Sequence, residues 1–317
     1  MTIYIARRLL LMIPLLFGIS VVSYAVIRFA PGDPARLLAD PERVSAAQLA
    51  AAREQMGLND PLPIQYLKTM RSLATGDLRS FKTHRPVLAM IGERLPTTLT
   101  LTALALVCSV VFGLTIGIVQ SLRPYSRVDD AGTLVSLFGF SVPDFWLALT
   151  LIGIFAVRLG WLPASGIRPP QTDGWNPRDV APHLVLPTFV LSASTMAGIA
   201  RYTRSAMLEA LGQDFVRLAR AKGLRERQVV VRHALRNSLL PVITLLGFYV
   251  PFLLGGAVVV ETIFALPGIG RLALDSVASR DYPVLLTINV LGALTVLVGN
   301  LLADVGYALA DPRIRYG

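Results

Sequence analysis

The chain is 317 residues long, 54% apolar and only 16% charged, with 30 Lys and Arg against 20 Asp and Glu. A soluble domain rarely has that composition. The base sits beside apolar runs, which speaks against a nucleic-acid binder and for a membrane protein oriented by its loops.

Six segments are long and apolar enough to cross a bilayer, given about 20 residues per helix. They are 9–29, 99–121, 133–157, 184–206, 239–260 and 284–309. Arg7 and Arg8 precede the first, as in a secretory signal. The apolar run is too long for a signal, and no small-x-small site follows it, so it reads as a retained anchor. Arg28 snorkels at its outer end. Segment 31–95 is polar with mixed charge. It opens on the turn APGDPA, and a helical run AAQLAAAREQMGL then ends at Gly57. A second short helix falls around 64–73. Pro96 is expected in the first turn of the second span, where its missing N–H costs nothing.

The third span holds SVPDFW, residues 141–146. Pro143 breaks the helical ladder there. Asp144 beside it is either a pathway carboxylate or the cap of the next turn. The fourth span is the least apolar, with Ser192, Ser194 and Thr195 inside it, as expected where membrane helices pack closely. The longest strongly charged stretch follows, RYTRSAMLEALGQDFVRLARAKGLRERQVVVRHALRNSLLP, residues 201–241. Leu208, Leu211, Phe215 and Leu218 recur at helical steps and predict one apolar face. Gly223 stands where a helix wants a left-handed residue, and a second helical run covers 226–235. This is a shaped helix–glycine–helix surface suited to docking a protein.

The fifth span ends GGAVVVETIFALPGIGRL. Gly255 and Gly256 permit close approach, Glu261 lies near the outer end, and Pro267, Gly268 and Gly270 predict a tight re-entrant or surface turn. Asp304 in the sixth span is read as interfacial and partnered by arginine. The basic residues Arg7, Arg8, Arg123, Arg127, the 201–236 loop, Arg313 and Arg315 fall on one side if both termini are cytoplasmic.

Chemistry of the usual kinds is missing from the pattern. Cys108 is the single cysteine, so neither an internal disulfide nor a cysteine zinc cluster can form. His84, His183 and His233 lack ligand spacing. There is no Gly-Lys-Ser/Thr phosphate loop, no HExxH and no convincing nucleophile triad. Energy for transport must come from partner ATPases or from an ion gradient. The latter defines a different class, a secondary transporter or channel.

The strings ARRLLLMIP, PGDPA, LPTTLTL, ARAKGL…HALRNSLLPVIT and DPRIRYG together resemble the ABC-importer permeases of the dipeptide/oligopeptide/nickel branch, in particular the first of their two permease subunits. Of that family's general loop pattern, only Ala219, Gly223 and Leu235 match. The resemblance implies an all-α membrane protein with the six-helix type I importer fold. The domains would be an anchor helix 1–30, an extracytoplasmic helical segment 31–95, a five-helix core 96–309 with a coupling loop 207–237, and a tail 310–317. The implied ATPase-coupling residues are Arg217, Ala219, Ala221, Gly223, Leu224, His233, Leu235 and Asn237, with Asp144 and Glu261 as pathway or gate candidates. The implied complex contains a second permease, two cytoplasmic ATP-binding subunits and an extracytoplasmic solute-binding protein in the bacterial inner membrane. ATP and Mg would be bound by the partners, with no cofactor, metal, catalytic residue or nucleic acid assigned to this chain. The implied cargo is di- or oligopeptides, with nickel chelates, glutathione and opine-like solutes as alternatives.

Overall fold

A computed structural model describes residues 2–29, 46–55, 57–169, 176–239 and 257–310. These are helical segments and their connections, with one isolated antiparallel bridge, Arg79 to Pro86. Among the described residues, four helices are long and apolar enough to cross a membrane, or five if one sharply bent pair counts as a span. The chain divides into two compact units. One is Met1–Thr98 with Pro267–Val298, the other Leu99–Leu266 with Gly299–Gly317.

In the first unit, α1 (Thr2–Phe29) is a long apolar helix that tolerates Pro14. Its large side chains are mostly bare, as befits a lipid-facing helix: Leu10 is 66% exposed and Phe17 62%. Short helices α2 (Ala46–Gln55) and α3 (Leu62–Thr75) follow. The α3 surface closes on α1 through a hydrogen bond between the Ser20 and Tyr66 hydroxyls at 2.8 Å and one from Tyr24 to Gln65 at 3.1 Å. Tyr66 also stands edge-on to both Phe17 and Tyr24. A tight loop, 77–86, then leads into α4 (Val87–Leu122). Val87 and Ile91 are buried with Leu272 of α10 (Ile269–Ala278) and Val284 of α11 (Tyr282–Ala310). Asp281, just before α11, accepts hydrogen bonds from the Ser80 hydroxyl and from Phe81 N–H at 2.9 Å, tying the loop down.

Two expectations change here. Pro96 is not in a first turn; it lies well inside α4, which starts at Val87 because the preceding VLAMI segment has its own buried face. The missing N–H therefore removes one ladder bond from the helix interior. The Pro267–Gly270 turn opens directly into α10, with Gly268 as the residue before its first turn. The turn chemistry alone does not signal that short helix.

In the second unit the least apolar span is the most central. Helix α7 (Pro177–Gly212) is 72% buried over its apolar window, and Ser192, Thr195 and Ala197 sit inside it at close contacts. Ser109 of α4 donates to the Ser192 carbonyl at 3.2 Å. A Cβ on Gly117 of α4 would fall 2.5 Å from the Ala200 carbonyl oxygen and 2.6 Å from Thr203 Cβ. Only glycine lets the two backbones approach so closely. Helix α5 (Arg127–Ser141) packs along α7. The core of the unit gathers Leu101, Leu147, Val180, Leu184, Val190, Phe264 and Leu266.

The third span is broken at the point where Pro143 predicts an interruption. Helix α5 ends at Ser141, and α6 (Asp144–Leu151), which runs on with π-type bonding through Ile152–Arg158, leaves at 104°. Pro143 supplies the cause: it has no N–H to continue α5, and its carbonyl starts α6 by accepting from Trp146 and Leu147 at 3.0 Å each. The fifth predicted span lies outside the described residues except for 239 and 257–260, the latter belonging to a helical stretch, 257–263. Gly255, Gly256 and the tail 311–317 likewise lie outside them, and the side chain of Asp304 is not described.

Candidate coupling site

The end of α7 sets the geometry of the charged loop. Gln213 takes an extended conformation after Gly212, so the run from Leu208 to Leu218 is two helices and not one. Helix α8 (Asp214–Ala221) turns a different face inward from the one its leucine spacing suggests. Val216 and Ala219 are buried, while Phe215 is 40% and Leu218 57% exposed. The break re-phases the helix, and the periodicity read across it no longer applies.

At the corner, Gly223 has φ +74°. Its N–H donates to the Arg220 carbonyl at 2.9 Å, and Leu224 N–H reaches back to Ala219 at 3.3 Å. These bonds satisfy carbonyls at the end of α8 in the manner of a left-handed helix stop. Helix α9 (Glu226–Gln228) then starts and continues with π-type bonding over Val229–Leu235. Met207, Ala210, Val216, Ala219, Val229, Val230 and Ala234 form one buried cluster. So α8 and α9 are stapled to each other and to the last turns of α7. A bidentate pair spans the corner: Arg220 donates to Glu226 at 2.7 and 3.2 Å. The arginine holds the Glu226 carboxyl below its ordinary value. A small cleft of about 340 Å³, lined by Pro124, Leu211, Gly212, Arg220 and Glu226, lies at the base of this block.

The predicted coupling residues separate into two groups. Ala219 and Leu235 face the cluster and shape the block. Arg217, Ala221, Gly223, Leu224 and Asn237 are exposed and form its outer surface. His233 is half-buried, and its carbonyl accepts from the Asn237 amide at 2.9 Å. The gate candidates lie elsewhere in this unit. Asp144 is the first residue of α6, and the N-cap position is held by Pro143, so Asp144 is not the cap of this helix. Glu261 is fully buried in 257–263.

One cluster was missed from sequence. Asp129 of α5, 4% exposed, forms a fork-to-fork pair with Arg204 of α7, both contacts at 2.6 Å. Tyr125 N–H donates to the same carboxylate at 2.9 Å, and Gln120 of α4 donates to the Asp129 carbonyl at 3.1 Å. In the sequence Arg204 is one of many basic residues of the 201–236 loop. The local signal was there in Ser126-x-x-Asp129, a capping-box spacing. The Ser126 side chain does cap α5 by accepting from Asp129 N–H. The partner 75 residues away could not be read from spacing.

Residues 109–316 match the family described as the binding-protein-dependent transport system inner membrane component, and residues 1–102 match its N-terminal region. The chain belongs to this family. The permease is 45% identical over 318 residues to the oligopeptide transport system permease protein AppB of Bacillus subtilis (strain 168), with all of both chains covered. It is 42% identical to the di/tripeptide transport system permease protein DppB of Pseudomonas aeruginosa (strain UCBPP-PA14), covering 99% of this chain and 98% of that one. The glutathione transport system permease protein GsiC of Escherichia coli O6:H1 is 41% identical, with 99% of each covered. In fold, the permease is similar to the inward-facing MetNI methionine ABC transporter, with TM-score 0.58 at 18% identity over 72% of this chain and 99% of that one.

The permease is thus a multi-pass inner-membrane subunit of an ABC importer, working with a binding protein and ATPases. It is non-catalytic and carries no cofactor of its own, as is the rule for these subunits. Membership of this family sets aside the ion-gradient transporter.

Proposed function

We propose that this chain forms half of the translocation pathway for di- or oligopeptides, beside a second, related permease and above two ATP-binding subunits. The reading takes six spans, both termini and loop 207–237 on the cytoplasmic side, and segment 31–95 outside. The 45% identity to AppB along the whole chain is the observation that carries the cargo class.

The coupling role rests on stiffness. A loop that transmits nucleotide-driven motion must move as a body with the helix it pulls. The buried cluster from Met207 to Ala234 joins α8 and α9 to α7, so a push on the exposed corner at Gly223 is delivered to a helix that is itself buried. In this reading Arg217, Ala221, Gly223, Leu224 and Asn237 touch the ATPase, while Ala219, His233 and Leu235 hold the surface in shape. Asp144 and Glu261 are proposed as structural or gating groups along the pathway.

The test is reconstitution with the binding protein, second permease and ATPases, followed by uptake of labelled dipeptides, longer peptides, glutathione and nickel chelates. Peptide uptake that needs ATP and the binding protein is the expected result. Uptake of glutathione or nickel alone would overturn the cargo class while leaving the permease role intact.

A further inference from the structure

We propose that the first unit carries a binding site for the headgroup of an anionic phospholipid, at the outer ends of α1 and α11. The side of the membrane rests on the topology proposed above. A cavity of about 770 Å³ lies between the last turns of α1, the short external helices, the 77–86 loop and the start of α11. Arg28 is in the last turn of α1, and Tyr282 and Pro283 open α11, both of them helices apolar enough to cross a membrane. A cavity at the ends of such helices sits at headgroup depth, where lipid is always at hand.

The wall chemistry matches a phosphodiester. Arg28, Lys68, Arg79 and Lys82 line the cavity against Glu54 and Asp77, with His84 beside them. A phosphodiester accepts hydrogen bonds and donates none, so it wants a wall of cationic donors. Two donors belong to residues of this wall: among the described residues, Arg28 Nε and the Tyr282 hydroxyl are buried without a hydrogen-bond partner. A terminal nitrogen of Arg28 donates to the Leu58 carbonyl over a long 3.4 Å. Buried donors are rarely left unpaired, and two in one wall point to an acceptor-rich occupant. Glu54 and Asp77 suit the hydroxyls of a glycerol headgroup, and Ile27, Phe81 and Leu286 supply apolar wall for the ester region. The bare faces of Val22 and Val26, 61% and 66% exposed on α1, flank the site for acyl chains.

The test uses the full chain co-purified with its partner subunits. The complex is loaded with phosphatidylglycerol, exchanged into phosphatidylcholine nanodiscs, and assayed for retained phosphatidylglycerol and thermal midpoint. Retention above the bulk level is expected, with a loss of about fivefold or more in Arg28→Gln, the order expected for one interfacial cation. Lys82 is exposed, so the Lys82→Gln variant keeps the fold and is expected to show a loss in the same direction. Retention equal to that of phosphatidylcholine, or unchanged in both variants, overturns the proposal. So does stabilisation by inorganic phosphate that equals the lipid's, which assigns the site to a free anion. Displacement of the lipid by an acidic dipeptide assigns it to cargo and overturns the proposal too. Side-specific labelling of a cysteine at position 82 reads the topology separately, so failure of that reading is distinguishable.

Discussion

Asp129 and Arg204 show how one residue pair joins two helices. The carboxylate is nearly buried and accepts from Arg204, through two contacts, and from Tyr125 N–H. Removing one partner of such a pair strands the other charge in a poorly hydrated place. Asp129→Ala is expected to cost about 2–4 kcal/mol, at the lower end because the Arg204 side chain retains 27% exposure. Arg204→Lys keeps the charge but loses the two-pronged geometry, so it is expected to rescue little. Thermal midpoints of the purified complex check both, and an unshifted midpoint in Asp129→Ala would refute the assignment. Gly223 is the opposite kind of residue. A Cβ there meets nothing within 4 Å inside this chain, so the strain of positive φ, about 1 kcal/mol, is the main internal cost. Gly223→Asp is therefore expected to leave membrane abundance near normal while abolishing ATPase co-purification or peptide uptake. Normal uptake would remove the corner from the coupling site.

Among the elements, the α4–α7 contact depends on small residues. Gly113 and Gly117 are one turn apart on α4, and side chains there would run into Ile199, Ala200 and Thr203. In Gly117→Leu the α7 backbone cannot yield without disturbing the core, so loss of folded permease is expected, against near-normal levels for Gly153→Leu, where a Cβ meets nothing within 4 Å. Fluorescence-detected size exclusion measures both. The α8–α9 corner behaves differently under acid. Glu226 has a lowered native value because Arg220 pairs with it. Its contribution is then fully present above the ordinary carboxylate range and is lost as pH falls through the native value. Both partners are exposed, 45% and 59%, so the pair is worth no more than about 0.5 kcal/mol. ATPase association is expected to stay flat between about pH 6 and 8, and Glu226→Gln to alter it only slightly. A large loss in that variant would mean Glu226 itself touches the partner.

At the scale of the whole molecule, transport depends on subunits this chain does not supply. Purified alone it is expected to hydrolyse no ATP, and turnover is expected to appear with the ATPases and rise with loaded binding protein. ATP-independent uptake that collapses with the proton gradient would contradict this. Topology is checked in a Cys108→Ser background with an impermeant thiol reagent. A cysteine at Lys82 is expected to label from outside, and one at Gln213 only after permeabilisation.

Local chemistry was legible along the chain because it acts over one or two turns. Apolar length marked 9–29, 99–121, 184–206 and 284–309 as long helices, Gly57 and Gly223 marked left-handed stops, and Pro143 marked a break. The small hydroxyls of α7 marked the helix that others pack against. What stayed hidden depends on partners far apart in sequence. The helix start at Val87 is decided by burial against Leu272 and Val284, which overrode the expectation that Pro96 opens the helix. The inward face of α8 is decided by the break at Gln213 and by the cluster with α9, which overrode the leucine spacing. Arg204 looks like any membrane-flanking arginine until the fold brings Asp129 to it. Spacing encodes which way a side chain points along its own helix; only tertiary packing decides what it meets there.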